Sequence, residues 1–205
     1  IGLTPLQMAN QAATIANRGY YYTPHVVKAI GDNKFLPEKF KVKHKTLINP
    51  SYFDTVIAGM ARVCVPGGTA GRTGIEGILI CGKTGTAENF AKINGVRTKM
   101  EDHSIFVAFA PKDNPKIAIA VMIENGGFGA TIAGPIASLM IEKYLRGKIT
   151  RTDLEKRTLE RSLQDRYAKL GGLSEAVKAE MRRRDSIAKS KIIIPKVKVD
   201  TTKTN

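Results

Sequence analysis

The fold of this chain is decided by the stretch Ile78-Leu79-Ile80-Cys81-Gly82-Lys83-Thr84-Gly85-Thr86-Ala87-Glu88-Asn89. An apolar, β-forming run leads directly into the polar segment Lys83 to Thr86. Because side chains alternate between the two faces of a strand, Lys83 and Gly85 should share one face, and Thr84 and Thr86 the other. Gly85 carries no side chain, which allows a ligand backbone to approach closely. The pattern predicts a strand at the edge of a sheet, against which an extended ligand pairs.

Two further apolar runs belong to the same predicted sheet. Residues 104–110 and 116–124 are rich in β-formers, and the turn Pro111-Lys112-Asp113-Asn114-Pro115 separates them. They read as an antiparallel hairpin, which with the Lys83 strand makes at least three strands. Residues 91–101 are predicted to be a polar connection with a turn at Asn94-Gly95.

Three helices are predicted around this sheet. Thr4, Pro5 and Gln7 form a capping-box start, and Gly19 is the expected end of the first helix. Asn49-Pro50 begins the second and Pro135 the third. Residues at helical spacing mark one face of each of these two helices. In the second helix they are Phe53, Val56, Ile57, Met60 and Cys64. In the third they are Ile136, Leu139, Met140, Lys143 and Tyr144. The predicted class is therefore α+β, with layers in which helices flank an antiparallel sheet.

Composition narrows the choice of partners. The chain has 205 residues, a net charge of +15 and 42% hydrophobic residues, enough for a packed core. The positive charge favours an acidic partner, such as nucleic acid, an anionic membrane surface or an acidic polymer. The sequence contains no signal peptide and no long apolar run. Cys64 and Cys81 are the only cysteines and the sequence has no Cys/His cluster, so no zinc site is expected. No other cofactor is predicted. The two cysteines are either buried thiols or a disulfide.

The character of the sequence changes after Leu145. Residues 146–205 contain 17 Lys or Arg and 8 Asp or Glu, so they carry +9 of the total charge. We predict a boundary near Gly147, with one domain at 1–146 and a basic C-terminal extension at 147–205. Residues 152–170 and 174–184 look helical, and residues 200–205 are expected to be disordered. The extension is either a solvated tail or a surface-binding segment.

Several motifs together resemble one family. They are Lys83-Thr84-Gly85, the preceding Pro66-Gly67-Gly68-Thr69-Ala70, the following residues 102–111, and the opening residues 3–9 and 16–19. The chain resembles the transpeptidase domain of class B penicillin-binding proteins from about Ile1 to Leu145, and is most similar to the elongation type, penicillin-binding protein 2. The resemblance implies the fold of penicillin-binding proteins and serine β-lactamases, incomplete at the N-terminus.

The resemblance also implies an activity and roles for site residues. Such DD-transpeptidases cleave the D-Ala-D-Ala end of a peptidoglycan stem peptide through a serine acyl-enzyme and transfer the acyl group to an amine, and β-lactams acylate the same serine. Lys83 would supply positive charge and assist proton transfer, and the hydroxyls of Thr84 and Thr86 would bind the terminal carboxylate. Gly85 belongs to the same catalytic strand, and the Thr86 N–H is a candidate oxyanion donor. Ala87 and His103 are assigned to substrate binding, and the alternative for His103 is a structural residue beside the active-site strand.

One departure from the family pattern affects this interpretation. The family has Ser-x-x-Lys and then Ser-x-Asn before Lys-Thr-Gly, but the sequence contains no Ser-x-Asn, and its one Ser-x-x-Lys, Ser186 to Lys189, lies in the basic tail. Asp102-His103-Ser104 cannot form a triad, because strand neighbours point to opposite faces. We therefore expect the C-terminal part of a longer protein, inactive on its own. The loop at 124–129 is a candidate mobile rim of the site.

The family resemblance implies partners and a location. The partners are peptidoglycan stem peptides, β-lactams, a membrane glycan polymerase and shape-determining proteins, and no nucleic acid is expected. The location is the extracytoplasmic face of the bacterial inner membrane, the periplasm, with anchoring by an N-terminal segment absent from this chain. The alternative is a non-catalytic basic module that binds an anionic surface or polymer, which salt-dependent retention with and without residues 146–205 would distinguish.

Overall fold

The structure is a computed structural model that describes residues 2–32, 35–93 and 95–168, and the isolated positions 179, 182, 183 and 186. The chain divides into two compact units, Ile1–Lys169 and Leu170–Asn205. All helices and strands named below belong to the first unit. The predicted helix at 174–184, apart from those isolated positions, and the predicted disordered end at 200–205 lie outside the described residues.

The first helix, α1 (Pro5–Ala16), begins where its capping box predicts. Thr4 Oγ1 accepts a hydrogen bond from the Gln7 N–H at 3.3 Å, and Gln7 Oε1 accepts one from the Thr4 N–H at 2.8 Å. These are the two reciprocal bonds of a capping box, and Pro5 fits the first helical position. The helix ends at Ala16 with Asn17 as its C-cap, earlier than predicted, and Gly19 follows with a φ of 102°.

Two short antiparallel strands, β1 (Tyr20–Tyr21) and β2 (His44–Lys45), lead to the second helix, α2 (Pro50–Val63). The Asn49 side chain caps α2 by accepting a hydrogen bond from the Ser51 N–H at 3.0 Å. The predicted face is buried at Phe53, Ile57, Met60 and Cys64. The prediction is wrong for Val56, which lies at the edge of this buried face and is 47% exposed.

The central sheet is antiparallel, as predicted. Its strands in chain order are β3 (Cys81–Ala87), β6 (His103–Ala110) and β7 (Ile117–Ile123), and they lie side by side in that order. The connection after β3 is a hairpin of β4 (Phe90–Ile93) and β5 (Val96–Lys99), whose chain reversal agrees with the predicted turn and whose two strands were not predicted. This hairpin is stabilised by packing of the Arg97 guanidinium 3.7 Å from the Phe90 ring centroid, a cation–π contact that strand alternation does not reveal.

The third helix, α3 (Ala133–Arg146), starts before the predicted Pro135 and is followed by α4 (Thr152–Leu159) and α5 (Gln164–Ala168). Its predicted face is wrong in part, because Met140 is 53% exposed and Tyr144 63% exposed. Small residues such as Ala133 and Ala137 are buried instead, so the helix backbone approaches the sheet closely. None of the helices in the described part of the chain is both long and apolar enough to cross a membrane.

The sheet lies between two hydrophobic clusters. On one face, here called the α1/α2 face, Cys81 and Phe109 pack with Ala16, Phe53 and Ile57. On the other, the α3 face, Phe106 and Ala108 pack with helix α3. The α+β class with helices flanking an antiparallel sheet is thus confirmed.

The compact unit continues past the predicted boundary near Gly147. Arg151 Nη1 donates to the Gly74 carbonyl at 3.0 Å, and Arg161 Nη1 to the Thr131 carbonyl at 2.8 Å. These bonds attach the first part of the basic extension to the body that ends at Lys169. The division into domains at 1–146 and 147–205 stays a prediction.

Candidate active site

Strand β3 forms an edge of the central sheet in the part of the chain that the structure describes. It pairs with β6 along its whole length, from Cys81 opposite Phe109 to Ala87 opposite His103. Its other side is open, so alternate N–H and C=O groups are available to pair with an extended ligand. The prediction of a sheet-edge strand is confirmed.

The strand register separates the site residues between the two faces, as the alternation predicts. Thr84 lies opposite Phe106 and Thr86 opposite Ser104, so both threonines belong to the α3 face. The residues on the α1/α2 face are Lys83, Gly85, Ala87 and, across the strand pair from Ala87, His103. A ligand along the open edge therefore meets the ammonium on one side and the two hydroxyls on the other.

Lys83 is the cation of this edge. Its side chain is exposed, and its Nζ donates a hydrogen bond to the backbone carbonyl of Thr84 at 2.6 Å. Because the side chain is exposed and the acceptor of its ammonium is a neutral carbonyl, a ligand carboxylate can replace that acceptor and gain a charge-assisted bond.

His103 joins the sheet to the loop that follows β7. Its Nδ1 accepts a hydrogen bond from the Asn125 N–H at 3.1 Å, so the neutral ring carries its proton on Nε2. Asn125 is 5% exposed, and its Oδ1 accepts a bond from Asn89 Nδ2 at 2.7 Å. This bond gives His103 a structural role, and its contact with substrate stays a prediction.

The loop at residues 124–131, here called the rim loop, is bonded to β6 and to the residue before it. The Gly127 N–H donates to the Asp102 carbonyl at 2.7 Å, and Ser104 Oγ donates to the Phe128 carbonyl at 3.0 Å. The same Ser104 oxygen accepts from the Ala133 N–H at 3.2 Å. Ser104 is thus occupied on the face opposite His103, which confirms that these neighbours form no triad. The mobility of residues 124–129 stays a prediction.

Gly129 brings the rim loop into contact with β3. A Cβ at Gly129 would lie 2.2 Å from the Ile105 carbonyl oxygen and 2.6 Å from that of Gly85. The loop backbone therefore rests on the Gly85 backbone, on the α3 face where Thr84 and Thr86 stand to either side. The rim loop forms one wall beside the two hydroxyls.

The cysteines lie in the core and outside this edge. Cys64 and Cys81 are both free thiols and 3% and 0% exposed, so the structure contains no disulfide between them. Burial raises the pKa of Cys64, and burial with the nearby Cys64 raises the pKa of Cys81 to about 12. No group of three or more His, Cys, Asp or Glu suited to a metal occurs among the described residues.

Sequence reasoning missed the part that Asn89 and Asn125 play in the site. Their amide pair connects the end of β3 to the rim loop across 36 residues. A signal was present, because Asn125 stands before Gly126-Gly127 and has a φ of 53°, a left-handed conformation that asparagine tolerates better than most residues. The pairing itself has no local sequence pattern.

Comparison with known proteins defines the class. Residues 1–142 match the family model described as the penicillin binding protein transpeptidase domain. The chain therefore belongs to the penicillin-binding protein transpeptidase family.

Its relatives include proteins of the type that the motifs resemble. Peptidoglycan D,D-transpeptidase MrdA of Haemophilus influenzae is 30% identical over 161 residues, which are 73% of this chain and 25% of MrdA. MrdA of Acinetobacter baumannii is 38% identical over 139 residues, 63% of this chain and 20% of that protein.

Solved structures of related proteins agree with this family assignment. Pseudomonas aeruginosa PBP2 in complex with WCK 5153 aligns with a TM-score of 0.57 and 32% identity, over 73% of this chain and 32% of that one. The imipenem acyl-enzyme complex of penicillin-binding protein A from M. tuberculosis aligns with a TM-score of 0.54 and 33% identity, over 70% and 31%. The PBP2-like resemblance is confirmed, and the chain spans between 20% and 32% of these four proteins.

Proposed function

We propose that this chain supplies the Lys-Thr-Gly wall of a peptidoglycan DD-transpeptidase, and that its acylated serine comes from a part of the protein outside this sequence. The observation that carries the proposal is the open edge of β3, with Lys83 on one face and Thr84 and Thr86 on the other. The names of the relatives, peptidoglycan D,D-transpeptidases, support it. By itself the chain has no Ser-x-Asn, and we expect it to be inactive alone.

In this proposal the stem peptide lies extended along the open edge of β3. Gly85 lets the peptide backbone approach, and Lys83 attracts the terminal carboxylate and assists proton transfer around the serine. Thr84 and Thr86 donate their hydroxyl hydrogens to that carboxylate. The Thr86 N–H, with the N–H of the serine, stabilises the oxyanion, a donor worth about two to three powers of ten in rate.

Ala87 and His103 mark the far end of the proposed substrate path. They face each other across β3 and β6, so they contact the same part of a bound peptide. The His103 ring is held by Asn125, which fixes its Nε2 proton as the donor available to a ligand. A β-lactam would occupy the same edge as the D-Ala-D-Ala end, and an imipenem acyl-enzyme is known for the relative from M. tuberculosis.

The cellular setting is part of the proposal. The extracytoplasmic face of the inner membrane suits an enzyme of peptidoglycan, and a membrane glycan polymerase and shape-determining proteins stay predicted partners. Binding of an anionic surface by the basic extension also stays a prediction, because most of residues 169–205 lie outside the described part.

The test begins with the coding DNA upstream of Ile1, where we expect Ser-x-x-Lys and then Ser-x-Asn in frame. In the full-length protein, a fluorescent penicillin should acylate that serine, and Lys83→Ala should slow acylation by about 100-fold or more. Lys92→Ala is the matched control, because Lys92 is an exposed lysine of β4, outside the central sheet. Acylation of Lys83→Ala at the wild-type rate would contradict the role proposed for Lys83.

A further inference from the structure

Three side chains of the segment after α3 converge on the rim loop. Arg161 Nη1 donates to the Thr131 carbonyl at 2.8 Å, Arg166 Nη1 to the Asn125 carbonyl at 3.0 Å, and the Tyr167 hydroxyl to the Glu124 carbonyl at 3.1 Å. All three acceptors are backbone oxygens of one loop, at its two ends. We call Arg161, Arg166 and Tyr167 the C-terminal clamp; they lie beyond residues 1–142, the part that matches the family model.

The segment that carries the clamp is itself anchored in the core. The Glu142 side chain is 0% exposed and accepts hydrogen bonds from the Thr150 N–H at 3.1 Å and from Arg151 Nε at 2.9 Å. Burial alone would raise the pKa of Glu142, but the bonds from Thr150 and Arg151 outweigh it and lower the pKa. The start of α4 is therefore bonded to α3, and the clamp residues follow α4 along the chain.

The rim loop connects the clamp to the catalytic strand. Arg166 bonds the carbonyl of Asn125, the residue whose N–H binds His103. Its guanidinium also lies 3.0 Å from the position that a Cβ of Gly127 would occupy, so it lies close to the loop backbone there. Further along the same loop, Gly129 rests on the backbone of Gly85.

We propose that the C-terminal clamp is a positioning device for the active site, with Arg166 as its principal member. It holds the rim loop against Gly85 and so fixes the wall beside Thr84 and Thr86, where the carboxylate of the acyl donor binds. The positioning role rests on the proposed transpeptidase function, whereas the contact between clamp and loop does not. Because the three clamp residues bond the backbone of the rim loop, the proposed effect acts through the loop.

The test compares Arg166→Ala, Arg166→Lys and Arg157→Ala in the full-length protein. Arg157 is the matched control, because it lies in the same segment and its Nε donates to the Asp153 carbonyl of its own helix at 3.2 Å. Hydrogen exchange at the amides of Gly127 and Gly134 reports on the loop, because these N–H groups bond Asp102 and Gly129. Stopped-flow acylation by a fluorescent penicillin separates the dissociation constant of the first complex from the acylation rate constant.

We expect Arg166→Ala to speed exchange at both amides and to slow the acylation step by about 10-fold or more, since small displacements of positioning groups cost up to about 100-fold. Arg166→Lys keeps a charged donor and should recover part of the rate, and Arg157→Ala should match wild type. Unchanged exchange in Arg166→Ala overturns the clamp, and faster exchange with unchanged acylation overturns its positioning role. If the wild-type protein is not acylated, the proposed function and the positioning role both fail. Hydrogen exchange still tests whether the clamp holds the rim loop.

Discussion

Gly129→Ala tests directly whether the rim loop rests on the catalytic strand. The new methyl would lie 2.2 Å from the Ile105 carbonyl oxygen, whereas carbon and oxygen atoms in proteins approach to about 3.3 Å, so something must move by about 1 Å. The obstacles are backbone atoms of β6 and β3, including Gly85 N at 3.0 Å, and neither strand can rotate away. The loop must therefore lift, which stretches the 3.0 Å bond from Ser104 to the Phe128 carbonyl.

Two quantities should change together in this variant. Overpacking of this kind costs about 1–3 kcal/mol in free energy of unfolding. A displacement of about 1 Å beside Thr84 and Thr86 should slow acylation by a fluorescent penicillin by up to about 100-fold. Urea unfolding and stopped-flow acylation of the full-length protein measure the two effects.

Gly59→Ala is the matched control for the same chemical change. Gly59 lies within α2, and beyond its chain neighbours and the adjoining backbone of its own helix no heavy atom comes within 4 Å of its Cβ position. Alanine there should stabilise the protein by about 0.5–1 kcal/mol, because glycine is a poor helix former, and should leave acylation unchanged. Wild-type stability and wild-type acylation in Gly129→Ala would refute the contact between loop and strand.

Two further predictions concern buried ionisable groups. Because the folded pKa of Glu142 lies below its ordinary value of 4.5, its stabilisation is complete above pH 4.5 and is lost as pH falls below 4.5 through the folded pKa. Glu142→Gln should therefore lower the free energy of unfolding at pH 7 by about 3 kcal/mol. The difference in unfolding free energy between wild type and variant should be smaller at pH 3. Urea titrations that gave the same difference at both pH values would argue against the ion pair. Cys64 and Cys81 should resist iodoacetamide at pH 8 in the native protein and react once urea unfolds it, and mass spectrometry showing rapid native labelling would contradict their burial.

Local sequence chemistry accounted for the elements that carry the site. Thr4, Pro5 and Gln7 specify the start of α1 through groups that lie within one turn, so no tertiary information was needed. The alternation around Lys83 and Gly85 likewise follows from strand geometry alone, and the register with β6 agrees with it. Both predictions depend on interactions between near neighbours in the chain.

The errors have a common physical origin in tertiary packing. Met140 and Tyr144 have helical spacing, but α3 packs on the sheet through the face that contains Ala133 and Ala137. The small residues on that face allow the helix to approach the sheet closely. The bond from Arg166 to Asn125 had no sequence signal, since an arginine that bonds a backbone carbonyl 41 residues away looks like any surface arginine. Long-range contacts to main-chain atoms leave no residue pattern at the acceptor.

The single hydroxyl of Ser104 bonds both Phe128 and Ala133, and this has a consequence for evolution. The length of chain between these two anchors is fixed, so an inserted or deleted residue there would break one bond or displace Gly129. The β4–β5 hairpin is a separate two-stranded sheet whose tip lies between Ile93 and Val96, and a longer tip would leave the register of the central sheet intact. Length variation among related enzymes should therefore accumulate in that hairpin and be rare in the rim loop.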